Sequence, residues 1–146
     1  MIMNDEKFDV FTRCLLVGLF VGITAVYVNL LFDLGFRHLT HFRLSAIINV
    51  SSIIMGCAIL LTICGVLYYG FRVWFKQSAN TLFTVAMLLI TAFAIWKVTG
   101  IVRSPIHVET VEFRELLIGI LCVNGILGAV LFPMFYSREK LVSQII

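Results

Sequence analysis

Apolar residues fill four long blocks of this chain, over residues 15–34, 46–71, 82–102 and 116–136, and polar residues gather in the short breaks between them. Each block is near or above the roughly 20 residues needed to cross the hydrocarbon core of a bilayer. Lipid offers the backbone no hydrogen-bond partner, so a spanning segment is either a helix or part of a closed barrel. Runs of this length without period-2 alternation predict helices. The expected fold class is all-α: an integral membrane four-helix bundle, one domain over residues 1–146, with both termini on the same side.

The breaks, over about 35–45, 72–81 and 103–115, leave nothing outside the membrane large enough for a second domain. The first block is expected to be a real helix and not a signal peptide. Asp5, Glu6 and Asp9 stand where a basic n-region would be, and the apolar run exceeds a typical h-region.

Composition agrees: 61% of residues are hydrophobic and only 13% charged, with a mean hydropathy of +1.06. Soluble domains carry about a quarter charged residues, so an ordinary soluble fold is excluded.

Charge then orients the spans. The face bearing the termini, side A, carries Lys7, Arg13, Arg72, Lys76, Arg138 and Lys140, against Arg37, Arg43, Arg103 and Arg114 on side B. The positive-inside rule makes side A cytoplasmic, and predicts a multi-pass protein of the cell membrane with cytoplasmic termini. Tyr68, Tyr69, Trp74, Trp96 and Tyr136 sit where interfacial aromatic belts are expected. Pro133 falls near the end of the last block, where a kink costs little.

Within the first block, Gly18, Gly22, Ala25, Asn29 and Asp33 follow steps of three or four and share one helix face, small and then polar. Gly18 and Gly22 form a GxxxG pair, which lets a second backbone approach closely. Ser45, Asn49, Ser52 and Gly56 repeat the theme on the second helix, and Asn124, Gly125, Gly128 and Ala129 on the fourth. The packing residues expected from this pattern are Gly18, Gly22, Ser52, Gly56, Gly125 and Gly128. Thr84 and Thr91 are expected to bond back to carbonyls of their own helix.

Polar groups inside a membrane are costly and therefore informative. At 1.5 Å per residue, Asn29, Asn49 and Asn124 all fall in the side B half of their spans. Asp33 and Lys97 lie about a turn from the same boundary and are candidates to pair. Asn29, Asp33, Asn49, Lys97 and Asn124 thus define a candidate polar pocket open toward side B. The same residues also read as an interhelical hydrogen-bond network that only fixes packing.

All three histidines, His38, His41 and His107, fall in side B breaks near Glu109, Glu112 and Glu115. They are the candidate metal ligands, but a single H-x-x-H does not specify a site, and the expectation is no metal and no cofactor. Cys14, Cys57, Cys64 and Cys122 include no C-x-x-C pair and read as small packing residues. The chain has no phosphate loop, nucleophile elbow or H-E-x-x-H, and no basic run for nucleic acid, so neither an enzyme nor a nucleic-acid binder is expected.

The segments "GLFVGITAVYVNLLF" in the first helix and "SAIINVSSIIMG" after the first break, with a fourth helix rich in small residues, resemble an uncharacterised family of small four-span bacterial membrane proteins. The resemblance implies a four-helix bundle and supplies no activity. The function expected is that of a non-enzymatic partner-binding or accessory membrane subunit, in contact with the bilayer and with a homo-oligomer or another membrane protein. The rival readings are a small oligomeric transporter or channel using the Asp33 and Lys97 pocket, and an immunity protein against a pore-forming toxin.

Overall fold

The computed structural model describes residues 2–41, 48–102, 105 and 107–142, with side chains between 10 and 137. Within them the chain is helical: α1 (Ile2–Thr40), α2 (Val50–Phe75), α3 (Ala79–Thr99) and α4 (His107–Val142), with a 3-10 turn, Lys76–Ser78, between α2 and α3. No strand occurs among the described residues. Arg43, Ser45, Ala46 and Arg103 lie outside them, as do the side chains of Lys7, Arg138 and Lys140.

Three apolar helical stretches are long enough to cross a membrane: Val10–Thr40, Val50–Thr99 and His107–Ser137. The hydropathy pattern anticipates four, and the difference lies in the middle stretch, where two apolar blocks join into 50 residues of nearly unbroken helix. The polar break expected at 72–81 contracts to the 3-10 turn. At that turn Lys76 takes φ 41° and ψ −98°, a backbone conformation that glycine adopts readily and other residues resist. Beyond it α3 lies alongside α2. Cys64 Sγ is 3.9 Å from Met87 Sδ, and Tyr68 donates its hydroxyl to Asn80 Oδ1 at 2.6 Å.

The helices also overrun the apolar blocks. α1 has 39 residues and α4 has 36, lengths of about 58 and 54 Å against a hydrocarbon core of about 30 Å. Their flanks, rich in Glu, Lys and Arg, favour helix once outside the lipid, so α4 starts at His107 instead of near residue 116. α2 starts later than its block. Asn49 Oδ1 accepts from the Ser52 amide and Ser52 Oγ accepts from the Asn49 amide, each at 2.9 Å, a capping box that fixes the first turn.

The α1 stripe from Gly18 to Asp33 is buried along its length. Gly18 meets Gly65 of α2 backbone to backbone. A Cβ added at Gly65 would stand 2.7 Å from the Cys14 carbonyl oxygen, and one at Gly18 would stand 2.9 Å from the Gly65 Cα. Without a hydrophobic drive between helices in lipid, such contact is how dispersion holds a pair together. On α2 the inward face runs through Ile53, Cys57, Leu61, Cys64, Gly65 and Tyr68. Ser52 is exposed and serves the cap of α2, and Gly56 has nothing within 4 Å of an added Cβ. On α4, Gly125 faces Thr91 and Gly128 faces Met87 of α3, while Gly119 receives the Phe32 ring of α1.

Pro133 lies inside α4 and not at its end. Proline has no N–H, so the carbonyl four residues earlier, at Ala129, loses its helical donor. Thr84 of α3 supplies one, its hydroxyl donating to the Ala129 oxygen at 3.0 Å. Of the two threonines expected to bond within α3, Thr91 does so, to the Met87 oxygen at 2.8 Å; Thr84 instead crosses to α4 because that carbonyl needs a partner.

Around the same level the side A half is aromatic. Tyr68, fully buried, stands edge-on to Phe83 at 4.9 Å between centroids and packs on Phe132 at 5.6 Å and Tyr136 at 5.8 Å. The Arg72 guanidinium caps the cluster 4.0 Å above the Tyr136 ring. Tyr68 is thus a core residue, whereas Trp74 and Trp96 are largely exposed, as belt residues are.

Candidate functional site

The other half of the molecule buries polar groups. Asn29 of α1 and Asn124 of α4 meet, Asn29 Nδ2 donating to Asn124 Oδ1 at 3.0 Å. Both amides also donate to the Cys57 sulfur of α2, at 3.2 Å from Asn29 and 3.4 Å from Asn124. Three helices therefore share one polar centre, with Asn29 fully buried, Cys57 2% exposed and Asn124 5% exposed. Asn29 Oδ1 is buried and has no hydrogen-bond partner among the described residues.

The placement follows from periodicity. Asn29 continues the Gly18–Gly22–Ala25 stripe by one further turn, and a helix pair that meets at Gly18 and Gly65 carries that stripe past Cys57.

One turn closer to side B, Asp33 is buried and pairs with Arg37 four residues on, Nε standing 2.9 Å from both carboxylate oxygens. Arg37 also donates from Nη2 to the Ile48 carbonyl at 3.1 Å, fastening the end of α1 to the approach of α2. Arg114 makes a parallel contact on the second side B connection, donating from Nε to the Ile101 carbonyl at 2.6 Å. Each arginine thus ties a helix to the connection beside it.

Of the five residues named from the sequence, Asn29 and Asn124 come together, and Asp33 follows on the same face of α1. Asn49 is the cap of α2, engaged with Ser52. Lys97 lies in the last turn of α3, exposed, with its ammonium 5.1 Å from the Trp96 ring centroid and 5.5 Å from that of Phe93. There it gains from cation–π attraction and from the helix C-terminus, and its long stem suits a reach toward the headgroups. The partner of Asp33 is Arg37, not Lys97.

Two residues bound to these five carry weaker sequence signals. Cys57 carried no motif, but it is four residues from Ile53 and from Leu61 on the inward face of α2. Arg37 was legible, since a carboxylate and a guanidinium four apart on a helix commonly pair.

His38, His41 and His107 are all exposed, at the end of α1, just beyond it and at the start of α4. Among the described residues, no group of three or more His, Cys, Asp or Glu side chains is close enough to hold a metal ion.

Compared with known proteins, the chain matches no family model, and no curated sequence or solved structure is significantly similar to it.

Proposed function

We propose that the protein is a four-span membrane bundle with both termini on the cytoplasmic face, working without catalysis as a partner-binding or accessory subunit. The four-span reading is supported by the contact between Cys64 and Met87, 3.9 Å apart. Twenty-three residues of straight helix would hold them about 34 Å apart. The middle stretch therefore serves as two crossings of 26 and 21 residues, about 39 and 32 Å long, enough for a bilayer. The family reading of small four-span bacterial membrane proteins accords with this arrangement and adds no activity.

The observation that carries the partner-binding reading is the outward face of α2. Ser52, Gly56, Ile59 and Ile63 share one side of the helix and are exposed, and an added Cβ at Gly56 would meet nothing within 4 Å. Gly56, with open space where a side chain would stand, suits close approach by a transmembrane helix of another membrane protein. Purification in mild detergent with mass spectrometry tests it. A stoichiometric membrane partner lost on Gly56→Leu is the expected result; a chain recovered alone, with lipid only, and unaffected by Gly56→Leu contradicts it.

A second reading, a small oligomeric transporter, draws on the buried Asp33–Arg37 pair. Its signature is proteoliposome flux abolished by Asp33→Asn.

A further inference from the structure

Asn29 is fully buried, and either orientation of its amide leaves one polar atom in need of a partner. As placed, Nδ2 serves Asn124 and Cys57 while Oδ1 has no partner among the described residues. Turning the amide over would set Oδ1 against the Asn124 oxygen and orphan Nδ2 instead. Leaving such an atom unmatched costs its full desolvation penalty. Buried polar atoms of this kind are met by ordered water, and water, being both donor and acceptor, serves either orientation.

A line of polar side chains on α1 leads to that position. Arg37, Asp33 and Asn29 succeed one another at four-residue steps, about 6 Å of rise each. Side-chain exposure falls along them from 15% at Arg37 to 6% at Asp33, and Asn29 is at 0%. Past Asn29 the buried face of α1 turns apolar through Ala25, Val21 and Val17, and the facing side of α2 runs through Leu61 to the Tyr68 cluster. The polar track ends at Asn29.

We propose that Asn29, Cys57 and Asn124 form a water-binding centre in the side B half of the bundle, reached from side B along Arg37 and Asp33 and sealed toward side A by Leu61 and the Tyr68–Phe83–Phe132 cluster. The proposal rests on the four-span reading, which gives the two faces their meaning.

Cys57 and Cys64 provide the internal test, since both are buried on the same face of α2, two turns apart. Single-cysteine chains retaining one or the other, with the remaining three cysteines changed to alanine, are placed in sealed vesicles of known orientation. They are exposed on one face to silver ion, a thiol reagent of near-water size that displaces the thiol proton as it binds sulfur. The fraction modified is read as loss of alkylation after denaturation. Thiols introduced by His41→Cys and Ser78→Cys report the two faces.

Cys57 reacts at least tenfold faster from side B than from side A, Cys64 is not modified from side B in the same time, and Asn29→Leu slows Cys57 at least tenfold without changing the two reporter thiols. Cys57 reacting equally from both faces, no faster than Cys64, or not at all overturns the proposal. If the two reporters react from the same face, the four-span reading fails and the proposal with it. If they react from opposite faces and Cys57 stays silent, only the water centre fails.

Discussion

The two halves of this molecule are built from the same helices and held by different forces. Toward side A, Gly18 lies on Gly65 and Tyr68, Phe83 and Phe132 fill the space beside them, so contact is close, apolar and dependent on shape. Toward side B, Asn29, Asn124 and Cys57 share hydrogen bonds and Asp33 holds Arg37, so contact is directional and dependent on partners. The difference teaches where change is tolerable. A packed apolar half accepts only residues of the right volume, whereas a polar half accepts only residues that complete the pairing.

Substitutions in each half sharpen the contrast. The largest effect belongs to the packed half: Gly65→Val drives a Cβ into the Cys14 carbonyl, which is backbone and cannot swing away, and costs about 3 kcal/mol in a detergent unfolding titration. An unchanged midpoint would mean that α1 and α2 do not cross there.

Next comes Asp33→Ala, which strips Arg37 of its carboxylate. A fully buried pair broken this way loses about 3–5 kcal/mol, and because Arg37 retains some exposure the expected loss is about 2 kcal/mol by the same titration. Asp33→Asn, which keeps an acceptor, costs less. Equal losses for the two would show that charge is irrelevant and the site is shape alone.

The smallest effect lies at the level of Pro133, within the side A half. Thr84→Val removes the donor to the Ala129 carbonyl and costs about 1 kcal/mol. In the Pro133→Ala background the helix supplies its own donor and Thr84→Val becomes nearly silent. A double-mutant cycle with no coupling would refute the link.

How far the sequence anticipates these halves depends on which physical signal each one leaves. The α1 stripe is legible because five small or polar residues at helical steps in an apolar block have one sensible destination, and all of them are buried. The choice of face on α2 is not. In lipid, apolar residues satisfy either side, so Ser52 and Gly56 give no direction, and the inward face is set by where Gly65 admits Gly18.

Depth alone matches Asp33 with Lys97 across the bundle, but the nearer arginine stands at the i+4 position on the same helix. Thr84 could not be placed without noticing that Pro133 frees a carbonyl on a different helix. The aromatic cluster was hidden for a related reason: Tyr68 and Tyr136 stand at the block edges, where belt and core residues look alike.

The contrast between a wet, polar half and a dry, aromatic one is most directly tested by hydrogen–deuterium exchange of the two buried thiols. Infrared spectra of reconstituted single-cysteine chains, recorded after transfer to deuterated water, follow the S–H stretching band of Cys57 in one chain and of Cys64 in the other. Exchange at Cys57 at least tenfold faster than at Cys64 is the predicted result. Equal rates, or faster exchange at Cys64, would contradict it.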